Sequence, residues 1–568
     1  MQAIIKAGIV LVLAIVVVVA CGGLEKEKLF RNGVIVCASP EAANVGLDIL
    51  KQGGDAVDAA CATALALAVT LPRAGNLGGG GLAMIYRADS GKVYFLDFRE
   101  TAPRLAEAGR FTDSAGKVDR DKATVGPLAA GVPGTVAGLF ELHRRFGRLE
   151  WAPLVQPARY LADTGFVVPE FLARSIEEYA AELARYESSA DIFLPEGRPI
   201  PAGGRFIQQD LARTLEMIEE EGPGGFYDGE TAQKIASFCA RNGGLITLDD
   251  LRSYLPFWRE PIRIRFRDFD LYVPGPPSSG GVVIGQILSL LDGFGLRRYT
   301  PMEPEYLHLY IESARRAFAD REQYLGDPGF VPDYSRALLE PAYIDERRKS
   351  IDPQHASSSS SIFPGVPARP ESPETTHLVA IDRDGNIVSL TYTINLPYGC
   401  KAVVTDAGFL LNNEMDDFAV VAGDPNAFGL VGGAANRIDP RKRMLSSMTP
   451  TIILKDGRPF LALGARGGSK IISAIAQTIL NYCVFDQPLL EAVSGPRIHH
   501  QWLPDQVDIE PGGGGLEGAT LQKLINMGHA VTEQVDIGSV MAAGFTEDGQ
   551  FIIGVADRRM PGGTVRGY

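Results

Sequence analysis

The sequence predicts an α+β protein, because helices mixed with strands are indicated before residue 355 and mainly strands after residue 375. The Ala-rich run 55–69 is apolar on almost every face, which is typical of a helix buried in a core. Two apolar runs, 377–382 and 387–394, flank an Asp-Gly pair and predict a β-hairpin. The 568 residues, with ordinary apolar and charged content, suffice for a large core.

Composition and charge exclude several classes of function. The formal net charge of −14 makes the chain a poor candidate for binding nucleic acid, which requires a basic face. Six scattered cysteines form no C-x-x-C pair, and the seven histidines include no HExxH motif. The sequence therefore predicts no disulfide framework, no metal and no organic cofactor, and we expect His499-His500 to support the fold.

The N-terminus carries a targeting signal. Lys6 precedes an apolar run, 7–20, whose length fits a signal peptide better than a membrane span of about 20 residues. The run ends in Ala20-Cys21-Gly-Gly, which resembles the signal of a bacterial lipoprotein. That resemblance implies cleavage before Cys21 and its lipidation, and the alternative is an uncleaved anchor. Both interpretations predict an exported, membrane-tethered protein.

The first two helices follow from their capping residues. Ser39-Pro40 predicts the start of a helix that ends at Gly53-Gly54, and Asp55 caps the Ala-rich helix that follows. The region 130–330 is expected to be rich in helices separated by Pro and Gly.

A glycine-rich stretch precedes the first long strands. Residues 75–81 lack the Lys-Ser/Thr of a phosphate loop, so we expect them to allow close packing of backbone before a strand at 82–86. A strand at 93–100 ends in Arg99-Glu100, which is either a surface ion pair or a clamp for a carboxylate.

A change of composition at Thr375 marks the centre of the chain. The Ser- and Pro-rich stretch 356–374 buries little apolar surface and predicts a flexible segment. The core hairpin begins directly after it, so the chain could cut itself there and expose an N-terminal threonine. The alternative is that Thr375-Thr376 is simply strand-forming sequence.

The hairpin predicts the surroundings of Thr375. A three-residue loop, 384–386, would set Thr375 opposite Asn395, whereas a two-residue loop would shift the pairing by one. With the three-residue loop, Thr391, Thr393 and Asn395 share the face of Thr375, because side chains alternate along a strand.

Three later stretches carry candidate chemistry. An apolar strand at 409–413 runs into an acidic corner, which alone would be ordinary turn chemistry. The stretch 423–442 is long and rich in Gly and Asn, as lids are. A strand at 459–463 leads through Gly467-Gly468 into a helix over 470–482. The N–H groups of such a turn suit an oxyanion, and a plain strand-to-helix turn is the alternative.

Several unlinked motifs resemble those of the γ-glutamyltranspeptidase family, in the same order. They are Gly75-Asn-Leu-Gly-Gly-Gly-Gly81, Asp97-Phe-Arg99-Glu100, Thr375-Thr-His377, Thr391-Tyr-Thr-Ile-Asn395, Asn412-Asn-Glu-Met-Asp-Asp-Phe418, Ser446-Ser447, Gly467-Gly468 and His499-His-Gln-Trp-Leu-Pro504. The resemblance covers nearly everything after the signal segment. It implies an N-terminal-nucleophile hydrolase, a four-layer αββα sandwich built from two chains after self-cleavage.

The resemblance also implies a division of the chain. Cleavage between Glu374 and Thr375 would give a large subunit, 22–374, and a small catalytic subunit, 375–568, after a signal segment, 1–21. The two subunits would remain together as a heterodimer. Thr375 would be the nucleophile, and its freed α-amine, with an ordinary pKa of about 7.7–8.0, would be the base.

Further roles are implied in the same way. Thr393 would orient Thr375, and the N–H groups of Gly467 and Gly468 would form the oxyanion hole. The α-carboxylate of a γ-glutamyl group would contact Arg99, Ser446 and Ser447. Its α-ammonium would contact Asn395, Glu414 and Asp417. The implied donors are glutathione and other γ-glutamyl amides, and the implied acceptors are water, amino acids and peptides.

The chain departs from the family pattern at a few positions. Ala465-Arg466 stands where many members have Ser-Pro, so a charge lies beside the oxyanion hole. Phe428 stands in the lid where bacterial relatives often have Tyr, which predicts a looser lid. Leu396-Pro397 and Cys400 replace a usually polar stretch. These changes bear on acceptor preference and on the ratio of hydrolysis to transfer.

Two other functions compete with this one. A related acylase acting on glutaryl-type amides would leave Glu414 and Asp417 without an ammonium partner. An unprocessed lipoprotein that binds γ-glutamyl peptides would not need Thr375, Thr393 or Gly467-Gly468.

Overall fold

The computed structural model describes residues 27–362, 375–421, 433–512, 515–534 and 536–568. Cys21, Glu374 and Phe428, predicted for lipidation, cleavage and the lid, lie outside these ranges. The strands are β1 (Glu27–Phe30), β2 (Val34–Cys37), β3 (Gly80–Arg87), β4 (Lys92–Phe98), β5 (Phe166–Val167), β6 (Arg205–Phe206), β7 (Phe257–Arg259), β8 (Ile262–Phe266), β9 (Phe269–Val273), β10 (Thr376–Ile381), β11 (Ile387–Thr393), β12 (Thr451–Lys455), β13 (Arg458–Arg466), β14 (Ile498–His499), β15 (Val507–Ile509), β16 (Val531–Glu533), β17 (Ser539–Phe545), β18 (Ile552–Ala556) and β19 (Thr564–Gly567). The helices are Pro40–Lys51, Ala56–Thr70, Arg120–Thr124, Thr135–Phe146, Ala152–Thr164, Glu170–Glu178, Ala180–Leu183, Glu187–Phe193, Gln209–Glu221, Gly224–Tyr227, Gly229–Arg241, Leu248–Ser253, Gly280–Asp292, Pro304–Tyr324, Ser335–Leu338, Pro341–Lys349, Lys470–Cys483, Leu489–Ser494 and Gly518–Asn526.

Two seven-stranded sheets form the centre of the molecule. One has the order β1-β18-β17-β13-β12-β9-β8, and the other has the order β19-β2-β10-β11-β3-β4-β7. β10 and β11 pack against β13, so the sheets lie face to face. Helices Pro40–Lys51 and Ala56–Thr70 cover the second sheet, and helices Gly280–Asp292 and Lys470–Cys483 cover the first. The four layers confirm the expected αββα sandwich.

The first two helices begin where the capping residues predict. The hydroxyl of Ser39 accepts from Ala42 N at 3.4 Å. Asp55 and Asp58 form a reciprocal capping box, in which each carboxylate accepts from the backbone of the other. The helix Ala56–Thr70 is buried along its whole length, as its apolar composition predicts.

The cysteines are buried and unpaired in the part of the chain that the structure describes. These are Cys37, Cys61, Cys239, Cys400 and Cys483. Among the described residues, no helix is both long and apolar enough to cross a membrane.

The glycine-rich stretch packs backbone against backbone, as expected. A Cβ atom at Gly79 would lie 2.0 Å from Thr393 O, and one at Gly81 would lie 2.5 Å from Thr391 O. Larger side chains would therefore separate β3 from β11, the strand that follows the hairpin loop. These glycines hold the first part of the chain against the surroundings of Thr375.

The register of the hairpin differs from the prediction by two residues. β10 pairs Ile381 with Ile387, and Asp382 N donates to Asn386 O at 3.2 Å, so the three-residue loop is 383–385. Continuing this register places Thr375 opposite Thr393, and the predicted pairing with Asn395 is wrong. A shift of two keeps every side chain on its face, so Thr393 still shares the face of Thr375.

The first part of the stretch predicted to be flexible is packed. Ser359 is fully buried, and its N–H donates to the carboxylate of Asp505 at 2.7 Å. Trp502 Nε1 donates to Ser359 O at 3.0 Å. For 356–362, therefore, the prediction is corrected: hydrogen bonds to distant parts of the chain order a segment whose composition alone would not.

The strand expected at 409–413 is reduced to single bridges. Leu410 pairs with Val403, and Leu411 pairs with Gly78. The acidic corner that follows is a 3-10 turn, Glu414–Asp417. The short bridges suffice to hold this turn beside β3, because Asn412 Nδ2 donates to Gly78 O at 2.8 Å.

Asp382 should be the residue that stabilises the hairpin register. Its carboxylate accepts from Ala56 N, Asp384 N and Asn386 N at 2.9–3.0 Å. Asp382→Ala leaves buried donors without acceptors and is expected to lower the free energy of unfolding by about 3 kcal/mol. Urea unfolding followed by circular dichroism measures this change.

The control is Asp384→Ala in the same loop. Its carboxylate is about half exposed and pairs with the exposed Arg148, so a change below about 1 kcal/mol is expected. Equal losses in the two variants would show that the loop does not depend on Asp382.

Candidate active site

One cavity collects nearly all the side chains that the sequence analysis assigned to catalysis and donor binding. Thr375, which directly precedes β10, lines it and is 5% exposed. The other predicted residues in the lining are Arg99, Thr393, Asn395, Glu414, Asp417, Ser446, Ser447 and Gly468. Gly467 is adjacent to this lining in the chain. Residues from both sides of the predicted cleavage site therefore form a single cavity.

Thr393 and Asn395 are positioned by the end of β11. Asn395 N donates to Thr393 Oγ1 at 2.8 Å, and Asn395 has a positive φ of 73°. The side-chain nitrogen of Asn395 donates to Asn413 O at 3.0 Å. The chain turns sharply directly after β11, so that Thr393, the last residue of the strand, and Asn395 both line the cavity.

Arg99 is buried at the centre of a cluster of carboxylates. Its guanidinium pairs with Glu414 at 2.7 Å, with Glu100 at 3.2 Å and with Asp417. The Tyr254 hydroxyl donates to Arg99 O at 2.9 Å and fixes the backbone. The surface ion pair considered for Arg99-Glu100 is therefore excluded, since both side chains are at most 1% exposed.

Burial dominates the protonation of this cluster. It raises the pKa of Glu100 to about 7 and raises the pKa of Glu414 well above its usual value, although Arg99 opposes both shifts. Burial also raises the pKa of Asp417 against the charge of Arg99. The single positive charge of Arg99 does not balance the negative charges that three ionised carboxylates would carry, so a second positive charge in this cluster would stabilise their ionised forms.

The two serines at 446–447 lie beside a helix that the sequence analysis did not connect to the site. Arg321 Nε donates to Ser279 Oγ at 2.9 Å, and Arg321 NH2 donates to Ser447 Oγ at 3.5 Å. Glu322 pairs with Arg321 and also lines the cavity. The sequence alone predicts that Arg321 and Glu322 are exposed, because charged residues near the end of a helix usually are, and so it does not indicate that they line the cavity.

The turn Gly467-Gly468 connects β13 to the helix Lys470–Cys483. Gly467 has a φ of 132° and Gly468 a φ of 56°, which other residues rarely adopt. A Cβ atom at Gly467 would also lie 2.9 Å from Gly538 Cα. Gly468 lines the cavity, so the turn stands close to Thr375, as the oxyanion-hole hypothesis requires.

The adjacent histidines His499 and His500 are part of the fold. His499 Nδ1 shares a hydrogen bond with Ser473 Oγ at 2.8 Å, and Trp502 N donates to His500 Nδ1 at 3.1 Å. Burial lowers the pKa of both, to about 3 for His499 and about 4 for His500. In the described ranges, no group of three His, Cys, Asp or Glu side chains could hold a metal ion.

The four-layer sandwich and the threonine at the start of an interior strand define the class of the N-terminal-nucleophile hydrolases. The structure resembles that of cephalosporin acylase from Bacillus halodurans, with a TM-score of 0.86 and 27% identity over 97% of this chain and 98% of that one. The family model of γ-glutamyltranspeptidase matches residues 42–566. The chain belongs to the γ-glutamyltranspeptidase family.

Two relatives illustrate the range of the family. The glutathione hydrolase proenzyme of Escherichia coli (strain K12) is 42% identical over 539 residues, which cover 95% of this chain and 92% of the relative. The acylase ACY 1 proenzyme of Pseudomonas sp. (strain SE83) is 37% identical over 533 residues, with 92% of each chain covered.

Glu322 should make stability depend on pH. Burial raises its pKa from 4.5 to about 7, so the folded protein binds more protons than the unfolded chain between these pH values. Its contribution to stability is therefore greatest below pH 4.5 and falls as the pH rises to 7. Relative to Glu322→Gln, the wild type should lose about 3 kcal/mol over this range.

Urea unfolding of both proteins at several pH values measures the difference. Glu340→Gln is the control, because its side chain is about half exposed and pairs with the exposed Arg336. A difference between wild type and Glu322→Gln that does not change with pH would contradict the assignment.

Proposed function

We propose that the protein is a self-processing γ-glutamyl hydrolase and transferase that acts on glutathione and other γ-glutamyl amides. The observation that carries this proposal is the cavity in which Thr375 stands beside the buried cluster of Arg99, Glu414 and Asp417. Membership of the γ-glutamyltranspeptidase family and the glutathione hydrolase relative support it.

Self-cleavage would begin at Thr375. Its Oγ attacks the carbonyl carbon of Glu374, an ester replaces the peptide bond, and the amide nitrogen takes up the proton of the hydroxyl. Water then hydrolyses the ester, which leaves a carboxylate on Glu374 and restores the hydroxyl of Thr375. The product carries a free α-amine, a base suited to neutral pH.

Turnover would use the same hydroxyl. The α-amine of Thr375 takes the proton of Oγ while Oγ attacks the γ-carbonyl carbon of the donor. The N–H groups of Gly467 and Gly468 stabilise the oxyanion. The C–N bond of the donor breaks, and the leaving amine takes the proton from the α-ammonium of Thr375. Water or an acceptor amine then attacks the carbonyl carbon of the γ-glutamyl ester and gives up a proton to the α-amine of Thr375. The ester C–O bond breaks, and the Oγ of Thr375 regains that proton as a hydroxyl.

Donor recognition would rest on opposite charges. Arg99, Ser446 and Ser447 contact the α-carboxylate of the donor, and Asn395, Glu414 and Asp417 contact its α-ammonium. An ammonium supplies the second positive charge that the buried carboxylates lack, and so favours their ionised forms. The hydroxyl of Ser447 accepts from Arg321 at 3.5 Å, and both serines line the same cavity as the Arg99 guanidinium.

The two products of cleavage would stay together as a heterodimer. In the second sheet, β10 and β11 of the small subunit lie between β2 and β3 of the large subunit. In the first sheet, β8 and β9 of the large subunit continue from β12. Separation would break the backbone hydrogen bonds of both sheets.

A lipid tether is the second part of the proposal. The apolar run that ends at Cys21 supports export and lipidation of this residue. The enzyme would then act outside the cytoplasm, where it meets γ-glutamyl compounds while attached to a membrane surface.

An acylase of glutaryl-type amides is the second candidate, because an acylase is among the similar proteins. A glutaryl group has no α-ammonium. It would leave Glu414 and Asp417 unpaired with any substrate charge in a buried site, at a cost of several kcal/mol. The acidic turn therefore favours the γ-glutamyl donor.

Thr375→Ala should abolish both processing and turnover. Wild type is expected to give two fragments, of which the smaller begins Thr-Thr-His-Leu, whereas the variant remains one chain. Intact mass, N-terminal sequencing and hydrolysis of γ-glutamyl-4-nitroanilide measure these properties. Thr376→Val is the control, because the hydroxyl of Thr376 is buried and has no hydrogen-bond partner among the described residues. A wild type that stays intact and hydrolyses nothing would favour the binding lipoprotein.

Asp417→Asn should separate the two candidate activities. It removes a charge that would contact the α-ammonium, so kcat/KM for the γ-glutamyl anilide is expected to fall by about a hundredfold. The matched control is Asp416→Asn, since Asp416 pairs with Arg120 at 3.1 Å and lies outside the cavity lining. Faster hydrolysis of glutaryl-4-nitroanilide than of the γ-glutamyl anilide by the wild type would instead support the acylase.

A further inference from the structure

Asn436 lines the cavity that contains Thr375, and the proposed donor contacts give it no role. It is 6% exposed and ends the 3-10 turn Ala434–Asn436. Its carboxamide is hydrogen-bonded on both sides, because Nδ2 donates to Asp417 O at 2.7 Å and Oδ1 accepts from Leu445 N at 2.9 Å. The side chain therefore joins the end of the acidic turn to the residue that precedes Ser446.

The two segments that Asn436 joins carry opposite halves of the proposed donor contacts. Asp417 would contact the α-ammonium, whereas Ser446 and Ser447 would contact the α-carboxylate. In a γ-glutamyl group these two charges are substituents of the same carbon atom. The two halves of the site must therefore lie at one fixed spacing, since a misplacement of about 1 Å can cost about a hundredfold in rate.

Arg99 joins the same two segments in a different way. Its guanidinium donates to the carboxylate of Asp417 at one side and to Leu445 O at 3.5 Å at the other. A bound donor would compete for the side chains of Arg99 and Asp417, because both are proposed to contact it. The backbone atoms that Asn436 holds are not among the proposed contacts, so this second link can persist when the donor binds.

A third segment supports Asn436 itself. Ala419 N donates to Asn436 O at 2.9 Å, and Asn436 N donates to Gly433 O at 3.1 Å. A Cβ atom at Gly433 would lie 2.1 Å from Glu322 O, so the turn packs directly on the end of the helix Pro304–Tyr324. This backing fixes the carboxamide, so that Asn436 holds Asp417 and Leu445 in place.

We propose that Asn436 is a positioning residue that sets the spacing between the ammonium-binding and carboxylate-binding halves of the site. It thereby makes the enzyme selective for donors that carry both charges on one carbon atom. This inference rests on the proposed function and specifies which donors the same site accepts. Asn436→Ala would remove the partner of Leu445 N and Asp417 O while keeping every group that is proposed to touch the donor.

The test compares two isomeric donors, the 4-nitroanilides of γ-glutamic acid and of 3-aminoglutaric acid. Both carry the same charges on a chain of the same length, but the second has its ammonium one carbon farther from the carboxylate. Wild type is expected to prefer the γ-glutamyl anilide. The ratio of the two kcat/KM values should fall by about tenfold in Asn436→Ala. This ratio does not depend on the amount of active enzyme.

Asn436→Asp isolates one of the two hydrogen bonds. The carboxylate has the shape of the carboxamide and still accepts from Leu445 N, but it cannot donate to Asp417 O. A fall of about tenfold in the ratio is expected here as well. The added negative charge acts on the ammonium of both isomers, so the ratio reports the spacing. This variant decides the test if Asn436→Ala does not fold.

Asn386→Ala is the matched control. Asn386 is 3% exposed, and its carboxamide likewise joins two segments, accepting from Ala88 N at 3.0 Å and donating to Asp382 Oδ2 at 2.8 Å. It follows the hairpin loop, at the end of β10 opposite to Thr375. Thermal unfolding should show a loss of stability comparable to that of Asn436→Ala, and the ratio of the two donors should not change.

The outcomes separate this inference from the proposed function. A ratio that is unchanged in both Asn436 variants, or that falls equally in Asn386→Ala, overturns the positioning role and leaves the γ-glutamyl activity in place. So does a wild type that hydrolyses the two isomers equally well. A wild type that hydrolyses neither isomer overturns the proposed function and this inference with it. A fall confined to the Asn436 variants supports the positioning role.

Discussion

The pairing of β10 with β11 in the interior of a buried sheet controls the rest of the site. β10 is also paired with β2, and β11 with β3, so neither strand can shift without breaking two ladders. This constraint places Thr375 opposite Thr393 and keeps both side chains on the face that meets the cavity. A slip of one residue would turn Thr375 to the other face of the sheet. Catalytic geometry thus depends on backbone hydrogen bonds.

The site also depends on a buried cluster in which the carboxylates outnumber the guanidinium of Arg99. Arg99 comes from the end of β4, whereas Glu414 and Asp417 come from the turn after β11. The short bridges to Gly78 and the glycines of β3 bring these segments together, because no side chain separates their backbones. Burial disfavours the ionised carboxylates, and an incoming ammonium would reverse that effect. The proposed recognition of a zwitterion therefore depends on the cluster as a whole.

Thr375 lines two cavities that differ in their charged residues. The first cavity is lined by Arg99 and Arg321 together with three acidic residues, Glu322, Glu414 and Asp417, and the second is lined by Arg73, Arg174 and Arg466 together with Glu178.

The sequence by itself determined the class of the fold, the helix starts at Ser39 and Asp55, and the facing of Thr375 and Thr393. The helix starts and the facing depend on short-range rules, namely capping and the alternation of strand side chains, whereas the four-layer sandwich was implied by the motifs that resemble the family. The motifs also identified nine candidate site residues that line the same cavity as one another. Only the tertiary structure decided the register of the hairpin, because Asp382 closes its loop through a contact with Ala56, far away in the chain. The same holds for the packing of Ser359, the approach of Arg321 and Glu322, and the convergence of three arginines. Burial and opposite charges from distant segments set these features, and no local pattern carries that information.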